Sequence, residues 1–287
     1  MPAHRDEFRF FHRLRVRWAE VDMQKIVFNA HYLMYFDTAI TDYWRALAMP
    51  YAEGMALLQG DLYVVKATVE FHASAHMDDM VDVALRCEHI GKSSMRFKGA
   101  IFRGEEHLIS GELVYVFADP ATQTSRPVPD ALRAMLLGYE AGEAMLDVRV
   151  GRWAELRDGA RALRDQVFVQ EQRIPQSVEW DDADDSAVHA VAYNRLGQAV
   201  ATGRLLAPEP GVAKIGRMAV HRFLRGSGAG RAVLLALMHA ARERGDTSVV
   251  LSAQRTAVGF YERLGFVADG APFTEAGIPH QAMRCSL

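Results

Sequence analysis

Apolar positions in the first half of the chain predict one long helix followed by strands. From His31 to Ala48 they recur every three or four residues, the spacing of one helix face. Asn29 stands where the N-terminal cap is expected, and Gly54 lies beyond the expected end. Four strand-like runs follow, at Leu62–Phe71, Met80–Ile90, Ser94–Arg103 and His107–Phe117. One buried helix against a meander of adjacent antiparallel strands is an α+β layout.

The second half alternates helical and strand patterns. Helices are predicted at Trp153–Gln170, Arg231–Arg244 and Ala257–Leu264. Strands are predicted at Leu146–Val150, Val188–Tyr193, Ala199–Leu206, Lys214–Val220, Ser248–Ser252 and Phe266–Ala268, with Gln281–Cys285 as an edge strand. This order predicts a mixed α/β domain.

Length and charge divide the chain near its middle. The 287 residues suggest two domains. Residues 1–145 carry 15 Lys+Arg against 20 Asp+Glu, whereas residues 146–287 carry 18 against 16. A short apolar helix is predicted at Ala131–Tyr139, and the boundary is placed after it, near Glu140–Leu146. The expected domains are therefore 7–142 and 146–287.

Composition excludes several classes of protein. Half of the residues are apolar and 24% are charged, as in globular proteins. The N-terminal residues lack an apolar signal segment, and no run is long enough for a membrane span, so a cytoplasmic protein that does not bind membranes is expected. The net charge of −3 argues against nucleic-acid binding. Cys87 and Cys285 are the only cysteines, and no metal site is predicted.

A glycine-rich turn stands between a predicted strand and a predicted helix. It reads Arg225-Gly226-Ser227-Gly228-Ala229-Gly230-Arg231. Glycines let backbone N–H groups approach an anion, and the helix start adds its positive dipole end, so a pyrophosphate fits there. The glycine spacing alone fits an ordinary turn equally well.

The surrounding residues resemble the GNAT N-acetyltransferase family over about 140 residues. The turn is preceded by Ile215–Val220 and followed by Phe260–Phe266; Phe168–Gln172 and Ala276–His280 resemble its ElaA-like branch. The resemblance implies acetyl-CoA as donor, with the turn Arg225–Arg231 holding its pyrophosphate. Backbone amides of Met218 and Val220 would face the pantetheine and the acetyl carbonyl. Tyr261 would protonate the departing thiolate.

The general base of such a transfer is less sharply defined by sequence. An amine is mostly protonated at neutral pH and must lose a proton before it attacks. The candidates are Glu171, Glu179, Asp181, His189 and His280. Glu171 and His280 lie in the branch-like motifs and are favoured, although solvated or packed side chains would account for any of the five.

A second candidate site precedes the long helix of the first half. Asp22 lies a few residues before a helix whose first N–H groups have no partner within the helix. Such amides can polarise a thioester carbonyl while a carboxylate attacks it or activates water. On spacing alone, a turn aspartate followed by a helix cap is the commoner explanation.

Here the pattern resembles the hotdog-fold acyl-CoA thioesterases of the 4-hydroxybenzoyl-CoA thioesterase/YbgC type, over about Glu7 to Tyr139. The matching residues are Asp22, Ile26, Val27, Phe28, Asn29, Tyr32 and Leu33, continued by Ala67–Phe71, Asp78-Asp79, Gly91–Ser94 and Gly111–Phe117. The resemblance implies a sheet wrapped around the helix, acyl-CoA as substrate and sites at a dimer interface. Asp22 matches the catalytic carboxylate and Asn29 a polar position at the helix start. Lys25 replaces a frequent glycine, and Asp37 a more usual glutamate.

Two functions for the whole chain follow. The first is a bifunctional enzyme that hydrolyses acyl-CoA thioesters and transfers acetyl groups to an amine acceptor. The alternative is an acetyltransferase whose hotdog domain is a non-catalytic dimerisation or acyl-CoA-sensing module. A weaker third makes the second half a CoA-binding module without acceptor chemistry. At least a homodimer through residues 1–140 is expected, because an uncovered sheet edge presents unpaired backbone groups.

Overall fold

A computed structural model describes residues 3–287, and contacts between Cα atoms divide the chain into two compact units, Met1–Met145 and Leu146–Leu287. The helices of the first unit are α1 (Asn29–Ala46), α2 (Tyr51–Leu58) and α3 (Asp130–Glu140). Its strands are β1 (Phe10–Arg15), β2 (Asp61–Phe71), β3 (Met80–Ile90), β4 (Ser94–Arg103) and β5 (Glu106–Ala118).

The first unit has the predicted α+β fold, a hotdog-like sheet with a buried helix. The strands run in the order β1-β3-β4-β5-β2, all antiparallel, and two hairpins connect β3, β4 and β5. The prediction that all four runs form one meander was wrong. β2 pairs with β5 on the far side of the sheet, so one of its edges is left unpaired by the other strands of this sheet.

α1 packs closely on the sheet because two glycines make room for it. Gly99 of β4 and Gly111 of β5 are paired in register. A Cβ atom at Gly99 would lie 2.5 Å from Phe36 Cε1, and one at Gly111 would lie 2.6 Å from Phe36 Cζ and Cε2. Phe36 is fully buried. The aromatic ring of the helix therefore occupies the space that side chains at these two strand positions would need.

One local prediction for the first unit is wrong, and two of its elements were not predicted. Asn29 is the first residue of α1 and not its cap; Phe28 takes the cap position and makes no side-chain capping hydrogen bond. The two elements that the sequence pattern does not predict are β1 and α2, and α2 contains Gly54. β1 is a short strand whose inward and outward residues alternate imperfectly, and α2 follows α1 after a break of only a few residues.

The second unit is the predicted mixed α/β fold, GNAT-like in its sheet. Its helices are α4 (Trp153–Arg164), α5 (Gln176–Glu179), α6 (Ala183–Ser186), α7 (Ala229–Arg244) and α8 (Val258–Glu262). Its strands are β6 (Leu146–Arg152), β7 (Val188–Asn194), β8 (Ala199–Glu209), β9 (Val212–Val220), β10 (Ser248–Gln254), β11 (Val267–Ala268), β12 (Phe273–Glu275) and β13 (Ile278–Ser286).

The strand order is β11-β13-β10-β9-β8-β7-β6, and β12 also pairs with β13. β9 and β10 are parallel, and the other pairs are antiparallel. The last strand was predicted as an edge strand at Gln281–Cys285, which is shorter than the observed β13. β13 instead lies inside the sheet, between β10 and β11, because chain order does not fix strand order. The predicted helix Trp153–Gln170 is α-helical only to Arg164 and continues as a π-helical segment, Asp165–Glu171.

No helix within residues 3–287 combines the length and the apolar character that a membrane span requires. Over the same residues, His, Cys, Asp and Glu side chains form no group of three or more that could hold a metal ion.

Candidate functional site

Asp22 lies in a tight turn that leads into α1. Its Oδ1 atom accepts a hydrogen bond from the Gln24 amide at 2.8 Å, and its own amide donates to the Ile26 carbonyl at 2.9 Å. The side chain of Asp22 is partly exposed. Local hydrogen bonds thus fix the carboxylate at the surface of the turn, where a ligand can reach it.

A cavity of about 410 Å³ opens beside this turn. Asp22, Asn29 and Tyr32 line it together with Phe71 and His72 from the end of β2. The Tyr32 hydroxyl accepts a hydrogen bond from the Ala75 amide at 3.1 Å, and burial raises the pKa of this phenol. The fold therefore brings both predicted residues of the first site, Asp22 and Asn29, to one cavity.

Lys25 has a backbone conformation that favours glycine. Its φ is +63°, and a residue with a side chain pays about 1–2 kcal/mol for such a left-handed conformation. The turn therefore requires a positive φ at the position where the resemblance places a frequent glycine. Compared with glycine, Lys25 adds a Cβ atom to this backbone conformation.

Glu20 is a structural residue of this site that the sequence analysis missed. It is 2% exposed and accepts hydrogen bonds from the Tyr35 hydroxyl at 2.7 Å and from the Arg17 amide at 2.8 Å. Burial works against ionisation, but the hydrogen bonds from Arg17 and Tyr35 outweigh it and lower the pKa of Glu20. The Arg17-x-x-Glu20 spacing of a short capped helix was the available signal.

The glycine-rich turn of the second unit has the open backbone expected for an anion site. Gly226 has φ +87° and Gly228 has φ +94°, and a Cβ at either position would meet no atom within 4 Å. Gly228 is the N-terminal cap residue of α7. The N–H groups of Ala229, Gly230 and Arg231 have no partner within the helix, since the first intrahelical donors come later.

A split between two parallel strands creates the second cavity. β9 pairs with β10 only over Val212–Lys214. Farther along, residues of both strands line a cavity of about 260 Å³, among them Met218 and Gln254. Arg217, at the bend of β9, has φ +51°. The strands thus separate where the resemblance implies that backbone amides meet a thioester.

Tyr261 of α8 lines the same cavity. Its ring makes edge contacts with Phe260 at 4.9 Å and Phe266 at 5.7 Å between ring centroids. Burial raises the pKa of Tyr261 to about 12. The phenol is therefore protonated at neutral pH and can donate a proton.

Two family models match segments of the chain, one in each unit. Residues 156–287 match the family model described as "Acetyltransferase (GNAT) domain" and residues 24–110 the model "Thioesterase superfamily". The uncharacterized N-acetyltransferase YjcF of Bacillus subtilis is 35% identical over 130 residues, 45% of this chain and 91% of that protein. The chain belongs to the GNAT acetyltransferase family.

Two solved structures resemble one unit each. An acyl-CoA N-acyltransferase from Pseudomonas aeruginosa is 37% identical, with a TM-score of 0.44, over 49% of this chain and 99% of that one. A 1,4-dihydroxy-2-naphthoyl-CoA thioesterase from Synechocystis is 17% identical, with a TM-score of 0.42, over 45% of this chain and 95% of that one. The two family models thus match a thioesterase-superfamily segment, residues 24–110, and a GNAT segment, residues 156–287, of one chain.

The cavity between β9 and β10 is called the GNAT cavity below. Two of the five candidate bases line it, Glu179 and His280. Nδ1–H of His280 donates a hydrogen bond to the Ile278 carbonyl at 2.8 Å, so Nε2 of the neutral ring carries the lone pair. Its ring stacks on Phe273, with 5.8 Å between centroids. Burial raises the pKa of Glu179 although Arg164 and Arg217 oppose the shift.

The other three candidates are engaged elsewhere. Glu171 forms a bidentate ion pair with Arg225, whose hydrogen bonds lower its pKa. Asp181 is bound by Arg204, and that contact lowers its pKa as well. The buried His189 donates from Nε2 to the Asp184 carbonyl at 2.9 Å, and burial lowers its pKa.

A buried ionic network holds the segment that carries Glu179 and Asp181. Arg164, only 1% exposed, binds Glu179 through Nε at 2.5 Å and Asp184 through Nη1 at 2.8 Å. Arg217 reaches the Glu179 carboxylate at 3.2 Å from the bend of β9. Buried arginines and carboxylates are retained only when they are paired. The network therefore orders one wall of the GNAT cavity and occupies the oxygens of Glu179.

Proposed function

We propose that residues 146–287 transfer an acetyl group from acetyl-CoA to an amine, and that residues 7–142 hydrolyse acyl-CoA thioesters. The observation that carries the first activity is the cavity between the separated strands β9 and β10, which both Tyr261 and His280 line. The observation that carries the second is the cavity that joins Asp22 to the start of α1.

For acetyl transfer, the amides of Ala229, Gly230 and Arg231 bind the pyrophosphate, and Arg225 adds its positive charge. Backbone amides of Met218 and Val220 bind the pantetheine and the acetyl carbonyl. The amine nitrogen then attacks that carbonyl, and the carbon–sulfur bond breaks. Tyr261 gives its proton to the departing thiolate.

His280 is the base in this proposal. Its Nε2 lone pair is fixed by the hydrogen bond that Nδ1–H makes to Ile278, and it takes the proton of the attacking amine. Glu171, the other favoured candidate, is held by Arg225 and has a lowered pKa, which makes its carboxylate a weaker base. We therefore assign Glu171 to the phosphate side of the site.

For hydrolysis, the Asp22 carboxylate either takes a proton from a water molecule, whose oxygen attacks the thioester carbonyl, or attacks that carbonyl itself. In both routes the carbon–sulfur bond breaks and the CoA thiolate leaves. In the second route, water then hydrolyses the acyl–Asp22 anhydride, which releases the carboxylic acid and regenerates Asp22. The free amides at the start of α1 stabilise the oxyanion that forms, and Asn29 provides a polar contact there. The alternative is that this domain binds acyl-CoA without hydrolysing it. Lys25 favours that alternative, because its Cβ stands where glycine would allow a closer approach to the thioester, and its ammonium group suits a CoA phosphate.

We also propose that the protein is cytoplasmic and forms at least a homodimer through residues 1–140. β2 is an edge strand, and Val64 and Val65 on it are 50% and 60% exposed. A second copy that pairs along this edge would cover both the backbone groups and the valines.

One assay tests both activities. The purified chain is given a panel of acyl-CoA thioesters, with and without amine acceptors, and the free thiol is measured. Thiol release without an amine supports hydrolysis, and additional release from acetyl-CoA with an amine supports transfer. Release that always requires an amine would favour the non-catalytic alternative for the first domain.

A further inference from the structure

Three polar side chains form a connected chain that ends at the N-terminal cavity. His107 and Ser110 lie on β5, and His72 follows β2 and lines the cavity. Ser110 Oγ lies 2.9 Å from His72 Nε2 and 3.3 Å from His107 Nε2. The two imidazole rings are 4.7 Å apart between centroids. The hydrolysis proposed above assigns no role to these residues.

The proton of the neutral His107 ring can be placed from its neighbours. Nε2 lies 2.9 Å from the Ile109 carbonyl oxygen, which only accepts hydrogen bonds, so Nε2 is protonated. The Ala3 amide donates to Nδ1 at 3.3 Å, which requires a lone pair there. Burial lowers the pKa of His107, in agreement with a neutral ring at neutral pH.

The direction of the hydrogen bond between Ser110 and His72 follows. Because the Nε2 proton of His107 is directed at the Ile109 carbonyl, this nitrogen has no lone pair that could accept a hydrogen bond from Ser110 Oγ, 3.3 Å away. The Ser110 hydroxyl proton is then left for His72, where Nε2 accepts at 2.9 Å. Neutral His72 consequently carries its own proton on Nδ1. In functional histidines generally, the hydrogen bond made by one ring nitrogen determines whether the other nitrogen carries the proton.

We propose that His72 is a further catalytic residue of the N-terminal site, whose Nδ1–H donates a hydrogen bond to the carbonyl oxygen of the acyl thioester. Ser110 and His107 are positioning residues that keep the proton on that nitrogen. The proposal rests on the proposed hydrolysis. In this proposal the thioester carbonyl oxygen, on which negative charge develops during attack, accepts hydrogen bonds from the amides at the start of α1 and from the His72 side chain.

Nitrogen NMR of the full chain with ¹⁵N-labelled histidine tests the tautomer without any activity. We expect His72 to show a protonated Nδ1 and an unprotonated Nε2. In Ser110→Ala the tautomers should mix, because His72 loses the donor to Nε2. A ketone analogue of acyl-CoA, with CH₂ in place of the thioester sulfur, should shift the Nδ1 signal of His72. Protonation of His72 at Nε2 in the parent would overturn the proposal, as would an Nδ1 signal that saturating analogue leaves unmoved.

Kinetics of hydrolysis test the catalytic role. His72→Phe should lower kcat about a hundredfold with little change in KM, the usual scale for one oxyanion donor. His72→Asn keeps an amide N–H near the position of Nδ1 and should recover much of that loss. Ser110→Ala should lower kcat less than His72→Phe does. The exposed His89 on β3 provides a control, since His89→Phe should leave kcat unchanged.

The outcomes separate this proposal from the hydrolysis on which it rests. One outcome is that the parent protein hydrolyses acyl-CoA, Asp22→Asn loses this activity and His72→Phe keeps the parental rate. The role of His72 is then wrong, while the proposed hydrolysis stands. If the parent releases no thiol, the proposed hydrolysis fails and with it the catalytic role; the NMR result would then show only whether His72 binds the carbonyl group.

Discussion

Arg225 in the glycine-rich turn and Glu171 at the end of the π-helical segment form a bidentate ion pair. Nη1 lies 2.6 Å from Oε1, and Nη2 lies 2.7 Å from Oε2. Their side chains are 44% and 35% exposed, so the net energy of the pair is modest. If the turn binds pyrophosphate, then Glu171 and the phosphates compete for one guanidinium.

Glu171→Gln should therefore tighten acetyl-CoA binding. Removal of the carboxylate frees Arg225 and takes a negative charge from the phosphate site, and we expect Kd to fall by about fivefold, equivalent to about 1 kcal/mol. Calorimetry of the purified variant measures it. The exposed Glu243 near the other end of α7 provides the control, Glu243→Gln.

The same variant decides between the two favoured bases. With His280 as base, Glu171→Gln keeps its turnover, whereas His280→Gln loses about a hundredfold or more in kcat. The reverse pattern, with a large loss in Glu171→Gln alone, would assign the base to Glu171.

A carboxylate in the glycine-rich turn should weaken acetyl-CoA binding strongly. Gly228→Asp places a negative charge beside the expected pyrophosphate, and Gly228→Asn introduces nearly the same shape and backbone strain without the charge. We expect Kd to rise by at least about tenfold more for Asp than for Asn, because like charges repel at close range. Gly245 lies at the opposite end of α7 and has a similar φ, +92°. The control variant Gly245→Asp should therefore bind acetyl-CoA as tightly as the parent does. Equal affinities in the Asp and Asn variants would place the pyrophosphate elsewhere.

Asp22→Asn should stop thioester hydrolysis and spare acetyl transfer. The amide keeps the shape of the side chain and still accepts the Gln24 hydrogen bond, but it is neither a nucleophile nor a base. We expect thiol release without an amine to fall by about a hundredfold or more. Acetyl transfer by the same preparation serves as the folding control. Unchanged hydrolysis would leave Asp22 with a structural role only.

Lys25→Gly should stabilise the turn before α1. Glycine adopts a positive φ without the steric cost of Cβ, and part of that gain is offset by the entropy glycine adds to the unfolded chain. We expect a gain of up to about 1 kcal/mol in the free energy of unfolding, measured by urea denaturation. Lys25→Ala removes the ammonium group and keeps Cβ, so it should show no such gain. If both variants gain equally, the lysine charge and not the backbone is responsible.

A lysine on the β2 edge should weaken self-association. We expect the full chain to sediment as at least a dimer and Val64→Lys to shift it toward monomer, since pairing along β2 would bury the added charge. Val150→Lys is the matched control, because Val150 is 45% exposed on the edge strand β6 of the other sheet. A monomeric parent that still hydrolyses acyl-CoA would contradict both the dimer and an interface site.

Local sequence patterns determined much of this fold. The three- and four-residue periodicity around Phe36 predicted α1, and the four strand-like runs predicted β2, β3, β4 and β5. Such features depend on neighbours in sequence, so the chain itself carries them. The motifs around Asp22 and Gly228 likewise indicated two sites for CoA thioesters, and both families were recognised from them.

Tertiary structure decided what depends on distant partners. Local periodicity does not set strand order, so β2 crosses to β5 and β13 lies inside its sheet. The ion pair that occupies Glu171 is likewise absent from any local pattern. His72 and Ser110 are 38 residues apart and meet only because β2 pairs with β5. Hydrogen bonds and ion pairs act over a few ångströms in space, and only the folded chain determines which side chains come that close.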